Sequence, residues 1–430
     1  MNTNRGSTIL RYGLLAIVVF MPFHAFFTTW LGANLGHLLA IRAWKEVVLA
    51  ALTGLGLYYF STDNKLRQIL WRRTINKAIL VYGSWLLLAS LLHTQPLAAL
   101  SQGLAIDFRF LVIFVLFQIA VFYQPISRDT LYKIVLIPSV GVVLFGVLQM
   151  LVLPREFLTW FGYNKYKTIP PYFTVDEQLT HLRYASTLSG PNTLGAYLLL
   201  PMMMVIDKIR VLYAKKKSYV LYALFFVLLS VVLYASQSRS AWLAALTSGA
   251  VYIFFMLPKK RAYKLLAASA VFLLLAGAAG YHYRESSFVA NTLLHNNPTT
   301  GGIVDSNEGH VAAVRSGLED VKNEPLVGCG VGCAGPASVR TDQPKISENY
   351  YLQIAQESGV VGLGLLITVI ILVSKELYKK RADSLALALF STLIGLSICN
   401  LLLHTWADDT LSLIWWSVAA MTLYTPTQKR

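Results

Sequence analysis

Apolar residues along the 430-residue chain are gathered into long blocks divided by short polar connections. Each block runs roughly 17–24 residues, the length a helix needs to cross about 30 Å of hydrocarbon. Blocks at about 9–29, 38–60, 78–94, 107–123, 133–153, 191–207, 219–236, 240–257, 263–283, 351–373, 385–404 and 409–425 predict about twelve transmembrane helices. The first block is followed by no small-residue cleavage pattern, so it reads as a retained helix and not as a signal peptide. The block at 107–123 is the least regular, because Asp107 and Arg109 stand at its start. Two connections are long, at about 154–190 and 284–350. Connections of that length usually carry function or are disordered. The later one holds Val311, Val314, Leu318 and Val321 at helical spacing, limited by Pro325, and then a Gly-rich turn through Gly328, Gly330 and Gly332. The predicted fold is all-α, a polytopic membrane bundle. Helices 1–9 occupy 1–283, with a periplasmic connection at about 154–190. Residues 284–350 form a large periplasmic loop with short helices, and 351–430 carry helices 10–12.

Composition supports this reading. The chain is 56% hydrophobic and 13% charged, against about 45–50% and 25% in soluble domains. A formal charge of +16 would suit nucleic acid, but its location argues otherwise. If the N-terminus is cytoplasmic, 24 of the 37 Lys and Arg residues fall in cytoplasmic segments, as the positive-inside rule requires. The opposite orientation would violate the rule. Both termini are therefore expected in the cytoplasm, and contact with anionic membrane lipid accounts for most of the charge. Cys399 lies inside an apolar block. Cys329 and Cys333 lie in a non-cytoplasmic loop where a disulfide is possible, although the sequence sets no geometry for one.

Candidate chemistry gathers on the outer side. Arg239 sits in Ser236-Gln237-Ser238-Arg239-Ser240, a polar notch between two apolar blocks. Charges at membrane depth tend to be functional, although a snorkelling Arg that ends a helix is the plain alternative. Arg315 lies beside the apolar stripe of the late loop, and Arg183 precedes the turn at Gly190-Pro191-Asn192. Asn192 and Thr193 open a helix whose N-terminus faces outward, a position that favours phosphate. Arg42 and Lys45 occupy the outer end of the second block. Together these residues make a cationic rim suited to a diphosphate. The acids on that side are Glu348, Glu357, Asp408 and Asp409. A carboxylate near arginines stays ionised and suits a base or an orienting group. Helix capping is the structural alternative for Asp408 and Asp409, and a dipole-favoured helix start for Glu348. His310 and His404 read first as structural. No metal motif, phosphate-binding loop or dinucleotide fingerprint occurs, so no cofactor is called for.

Three stretches carry a family resemblance. They are Arg183-Tyr184-Ala185-Ser186-Thr187-Leu188-Ser189-Gly190-Pro191-Asn192-Thr193-Leu194-Gly195-Ala196-Tyr197, then Ser238-Arg239-Ser240, then Val314-Arg315 through Asn323-Glu324-Pro325-Leu326-Val327-Gly328-Cys329-Gly330 to Glu348-Asn349-Tyr350-Tyr351-Leu352-Gln353 and Glu357-Ser358-Gly359. The chain resembles the O-antigen ligase and O-antigen polymerase superfamily of bacterial envelope enzymes. The resemblance implies an inner-membrane glycosyltransferase whose periplasmic site moves a glycan from an undecaprenyl-diphosphate carrier to a glycan or lipid A-core acceptor. It implies essential arginines at Arg239 and Arg315. Ligases of the family have a His immediately before the Asn of the third stretch, where this chain has Glu348. Ligase and polymerase both stay open. The expected catalytic residues are Arg239, Arg315 and Glu348. Arg183, Asn192, Arg42, Asn349 and Asp408 are expected to bind substrate. A single displacement, without metal or nucleotide, would invert the anomeric centre. A flippase or transporter is the competing reading, but it predicts inverted repeats and midplane charges that the chain does not display.

Overall fold

A computed structural model describes residues 3–175, 178–283, 286 and 306–425. It is 77% helical, as an all-α bundle requires. The first apolar block is interrupted. Helix α1 (Thr3–Phe20) passes through a short 3-10 turn at Met21–Phe23 into α2 (His24–Leu35), since Pro22 lacks an N–H and cannot continue the ladder. Short α3 (Leu38–Arg42) leads into α4 (Trp44–Thr62), α5 (Asn64–Arg72) and α6 (Thr74–Leu91). Next come α7 (Leu97–Tyr123) and α8 (Arg128–Leu151). An antiparallel hairpin comes after α8, β1 (Phe173–Val175) with β2 (Gln178–Arg183), which the periodicity does not announce. Then run α9 (Pro191–Ala214), α10 (Val220–Ala235), α11 (Arg239–Met256), α12 (Lys259–His282) and α13 (Ser306–Asn323). The last helices are α14 (Tyr350–Lys379), α15 (Ser384–Cys399) and α16 (Asp409–Tyr424). Of the expected loop at 284–350, positions 284–285 and 287–305 lie outside the described residues.

Among the described residues, six helical segments are long and apolar enough to cross a membrane: Arg5–Leu35, Thr74–Leu91, Leu97–Tyr123, Arg128–Leu151, Arg239–Met256 and Tyr350–Lys379. Helices α10 and α15 are apolar but shorter. The expectation of about twelve spans counts these two and adds α4, α9, α12 and α16. The block predicted at 107–123 begins ten residues earlier, at Leu97, so Asp107 is not at a helix start but fully buried within α7.

The core is aromatic and central. Phe110 and Phe114 of α7 lie 5.2 and 5.6 Å from Trp416 of α16, and Trp415 donates its indole N–H to Thr392 of α15 at 2.9 Å. Side chains join the connections into two separate ends. At one end Arg73 meets Gln118, Tyr123 meets Asp63, and Arg128 meets Asp207 and Asp383. At the other, His93 meets Glu324, Arg340 meets Gln102, Arg109 meets Ala407, and Thr187 meets Pro22.

The Gly-rich turn has a structural task at the second end. Helix α14 breaks at Ser358 and Gly359, whose backbone is non-helical. A broken helix leaves carbonyls without their partners. Cys329 and Gly330 supply N–H groups to the carbonyls of Gln356 and Glu357 at 2.8 and 3.0 Å, and Val360 donates to Pro325 at 2.8 Å. Backbones approach so closely that a Cβ on Gly359 would lie 2.1 Å from the Leu326 carbonyl oxygen, and its φ of 68° also favours glycine. Cys329 and Cys333 are disulfide-bonded across this turn.

Candidate functional site

The site is assembled where the starts of α9 and α11 meet the 400–408 connection. Gly195 permits that approach, because a Cβ there would lie 2.7 Å from the Ala241 Cβ and 3.0 Å from the Ser238 Cβ. Two helix N-termini, each with outward N–H groups and a partial positive charge, therefore stand side by side. Pro191 occupies the first turn of α9, where its missing N–H costs nothing. Arg239 opens α11 directly after Ser238, and Ser238 and Ser240 hold their hydroxyls 3.3 Å apart. Arg183, at the end of β2, joins the start of α9 to the end of α10. Its Nη2 donates to Asn192 Oδ1 at 2.7 Å and its Nε to the Ser236 carbonyl at 3.2 Å.

Carboxylates and imidazoles face this cationic edge. Asp408 caps α16, accepting from the Leu411 N–H at 3.1 Å, and also accepts from the Thr193 and Ser189 hydroxyls at 3.2 and 3.4 Å. It is both cap and wall of the site. Burial, and then Asp409 beside it, push its carboxyl up to about 6. Asp409 turns the other way, to Lys45 at 2.9 Å, within a buried network that includes His24, Glu46 and Arg109. His404 lines a cavity of about 180 Å³ with Asn192, Thr193 and Asp408. Its Nε2 is buried without a partner among the described residues, and burial holds the imidazole down to about 4, so it is neutral at pH 7.

Glu348 has φ 52°, a left-handed conformation uncommon for a residue with a side chain. Its two successors hold that strain in place. Asn349 caps α14 by accepting from the Leu352 N–H at 3.0 Å, and Tyr350 donates its N–H to the Asn400 carbonyl at 3.0 Å. The kinked backbone brings the Glu348 carboxylate to Nδ1 of His310, and that hydrogen bond holds Glu348 below the usual carboxylate range despite burial. His404 also lies close enough to act on the Glu348 charge.

The sequence-predicted residues fall into three groups. Arg239, Arg183, Asn192 and Asp408 are brought to one edge, with Glu348 reaching it through His404. Arg42 sits nearby, between Asp409 and Tyr163. Asn349 is a helix cap whose carbonyl-type oxygen is committed to α14. Helix α13 packs on α14 through Gly317, Asp320 and His310, not through the stripe the spacing suggests, and Val311 and Leu318 are 61% and 50% exposed. Arg315 is exposed on α13. Glu357 is buried and accepts the Gly332 N–H at 3.2 Å, which gives it a structural role in the turn. His310 is the residue that sequence reasoning misses, because a lone His carries no signal until its partner is known. No group of three or more metal-binding side chains occurs among the described residues.

Apolar helices carrying arginine, imidazole and carboxylate groups at one end of their bundle define a polytopic membrane protein with a polar site at its helix ends. Residues 224–367 match the family model for O-antigen ligase, which supports the likeness to the O-antigen ligase and polymerase superfamily. The matched stretch runs from α10 through the Arg239 notch, α13 and Glu348 into α14. No curated protein matches the chain.

Proposed function

We propose that the protein transfers a glycan from an undecaprenyl-diphosphate carrier to an acceptor hydroxyl at the periplasmic face of the bacterial inner membrane. The observation that carries this reading is the Arg183 bridge, which holds a guanidinium between the first turn of α9 and the end of α10, three residues before Arg239. Such a place suits a diphosphate, because fixed N–H dipoles and guanidinium charges act on it without having to reorganise. The leaving group is already a weak base and needs charge neutralisation more than a proton.

In the proposed step an acceptor hydroxyl oxygen attacks the anomeric carbon. The bond from that carbon to the diphosphate oxygen breaks, and the electron pair leaves with the carrier diphosphate, held by Arg239 and Arg183. The acceptor proton passes to Nε2 of His310, whose Nδ1 is engaged by Glu348. A carboxylate behind an imidazole fixes its tautomer and stabilises its charged form. Glu348 thus acts as the orienting acid and His310 as the base, a division that would replace the family histidine at position 348. Displacement in one step inverts the anomeric centre. Arg315, on the open face of the same helix as His310, engages the donor from the solvent side.

Ligase and polymerase differ only in acceptor. A deletion strain separates them. Single repeat units on the lipid acceptor identify a polymerase, and long glycan left on its carrier identifies a ligase. Unaltered envelope glycan in that strain, or wild-type transfer by purified Arg239→Ala protein, overturns the reading.

A further inference from the structure

Two buried acids take no part in the proposed transfer, and they meet. Asp107 of α7 and Glu357 of α14 are both 0% exposed. Their carboxyl groups are hydrogen-bonded to each other. The backbone brings them together independently of that bond. Gly103, one turn before Asp107, packs so closely on the Gly-rich turn that a Cβ there would lie 2.7 Å from the Gly332 nitrogen. That same nitrogen donates to Glu357 Oε1 at 3.2 Å. Asp107 Oδ1 accepts from the Tyr350 hydroxyl at 3.4 Å. Asp107 Oδ2 and Glu357 Oε2 remain, both buried and without a partner among the described residues.

An ionised carboxylate only accepts, so two of them cannot hydrogen-bond unless one carries a proton. Two negative charges held together out of water would also repel. The surroundings supply no cation in exchange. The other titratable groups acting on the pair are Tyr82 of α6, Tyr350 and Arg109. Arg109 gives its guanidinium to Glu46 at 3.4 Å and to the Ala407 carbonyl at 3.0 Å.

We infer that Asp107 and Glu357 share one proton, and that this acid–carboxylate pair positions the start of α14 for the reaction. Asp107 grips α14 at two points, Tyr350 at the helix start and Glu357 beside the break at Ser358 and Gly359. Tyr350 directly follows Glu348 and Asn349, so what fixes Tyr350 fixes the backbone that aims the Glu348 carboxylate at His310. Loss of the proton would set two charges against each other and drive Glu357, with the Gly332 turn on it, away from α7. Asp107 and Glu357 touch no reacting atom and act through Tyr350. The positioning role rests on the proposed transfer reaction, whereas the shared proton does not.

The test uses full-length protein in lipid nanodiscs, as wild type, Glu357→Gln, Asp107→Asn and Glu357→Ala. At about pH 8 ordinary carboxyls are ionised. Wild type should still show the infrared carbonyl band of a buried carboxylic acid. The band should vanish in Glu357→Gln and in Asp107→Asn, where an amide N–H donates in place of the proton. The native state then holds a proton that the unfolded chain has lost, so wild-type stability falls as pH rises. Relative to Glu357→Gln, its unfolding constant should grow about tenfold per pH unit between about pH 6 and pH 8. Glu357→Gln should transfer glycan within about twofold of wild type, and Glu357→Ala about 10²-fold more slowly, the loss expected of a small misplacement. A band that persists in both amide variants, or parallel pH profiles, overturns the shared proton. A wild-type melting temperature that is higher in sodium than in choline buffer, with no such difference in the amide variants, overturns it in favour of a metal ion between the carboxyls. Wild-type transfer by Glu357→Ala overturns the positioning role. Absence of transfer by wild-type protein removes the transfer reading and the positioning role with it, while the band and the melts still decide the proton.

Discussion

The Arg183 guanidinium donates to Asn192 Oδ1 at 2.7 Å, tying the end of the hairpin to the first turn of α9. The same side chain reaches the Ser236 carbonyl at 3.2 Å, so one residue ties the start of α9 to the end of α10. A lysine carries the charge but cannot fork to both acceptors. Arg183→Lys is therefore expected to lose about 10²-fold in transfer rate, in the range seen when a fixed charge-stabilising donor is removed. Arg183→Ala should lose at least as much and also melt earlier, because the bridge goes. Transfer within twofold of wild type by Arg183→Lys would show that its contacts serve the fold alone.

Arg239 and Arg315 are told apart by their surroundings. Arg315 is exposed, so Arg315→Ala should leave thermal stability within about 0.5 kcal/mol of wild type. A loss of transfer in that intact protein assigns Arg315 to the donor, and unchanged transfer removes it from the clamp. Arg239→Ala should abolish transfer in either case, measured with lipid-linked donor and purified protein.

His310 and Glu348 should behave as a unit. Removing a general base costs about 10²–10⁴-fold. His310→Ala and Glu348→Gln are each expected in that range, and the double variant should be little worse than the poorer single one, since a carboxylate that acts through an imidazole has no further effect once the imidazole is gone. Multiplying losses in the double variant would mean that the two residues act separately.

Asp408 gives a pH signature. Its carboxyl is raised from 3.8 to about 6 in the folded protein. The folded state thus binds this proton more tightly than the unfolded chain, and stability falls as pH rises from about 4 to about 6. Asp408→Asn keeps a capping side chain but carries no such proton. Relative to wild type, the variant should gain on the order of 1 kcal/mol between pH 4 and pH 7, after allowance for solvent screening. Thermal melts across that range check the sign, and a gain that runs the other way refutes the assignment.

The Cys329–Cys333 disulfide closes a short turn against the break in α14. A loop of this size is worth about 2 kcal/mol in the chain-entropy account. Replacing both residues with serine should lower the melting temperature without blocking assembly. Alkylation of wild-type protein in denaturant should label one thiol before reduction, Cys399, and three after it. Three labelled thiols before reduction would show the bond absent.

Hydropathy made most of this architecture legible. Helix starts at Thr74, Pro191, Arg239, Tyr350 and Asp409 fall within four residues of the predicted blocks, because the preference of an apolar run for a low-dielectric surrounding is a local, additive property. The alternation of basic and polar connections gave the expectation that Arg239, Arg183, Asn192 and Asp408 share one side. Tertiary structure alone decided which neighbour does what. Adjacent Asp408 and Asp409 look alike in sequence, yet one faces Thr193 and the other is bound to Lys45. Glu348 found His310 across an intervening loop, and Arg315 was turned to the open face by the small residue Gly317 packing on Leu352. Such pairings depend on backbone angles and on side chains far apart in the chain, and no local pattern encodes them.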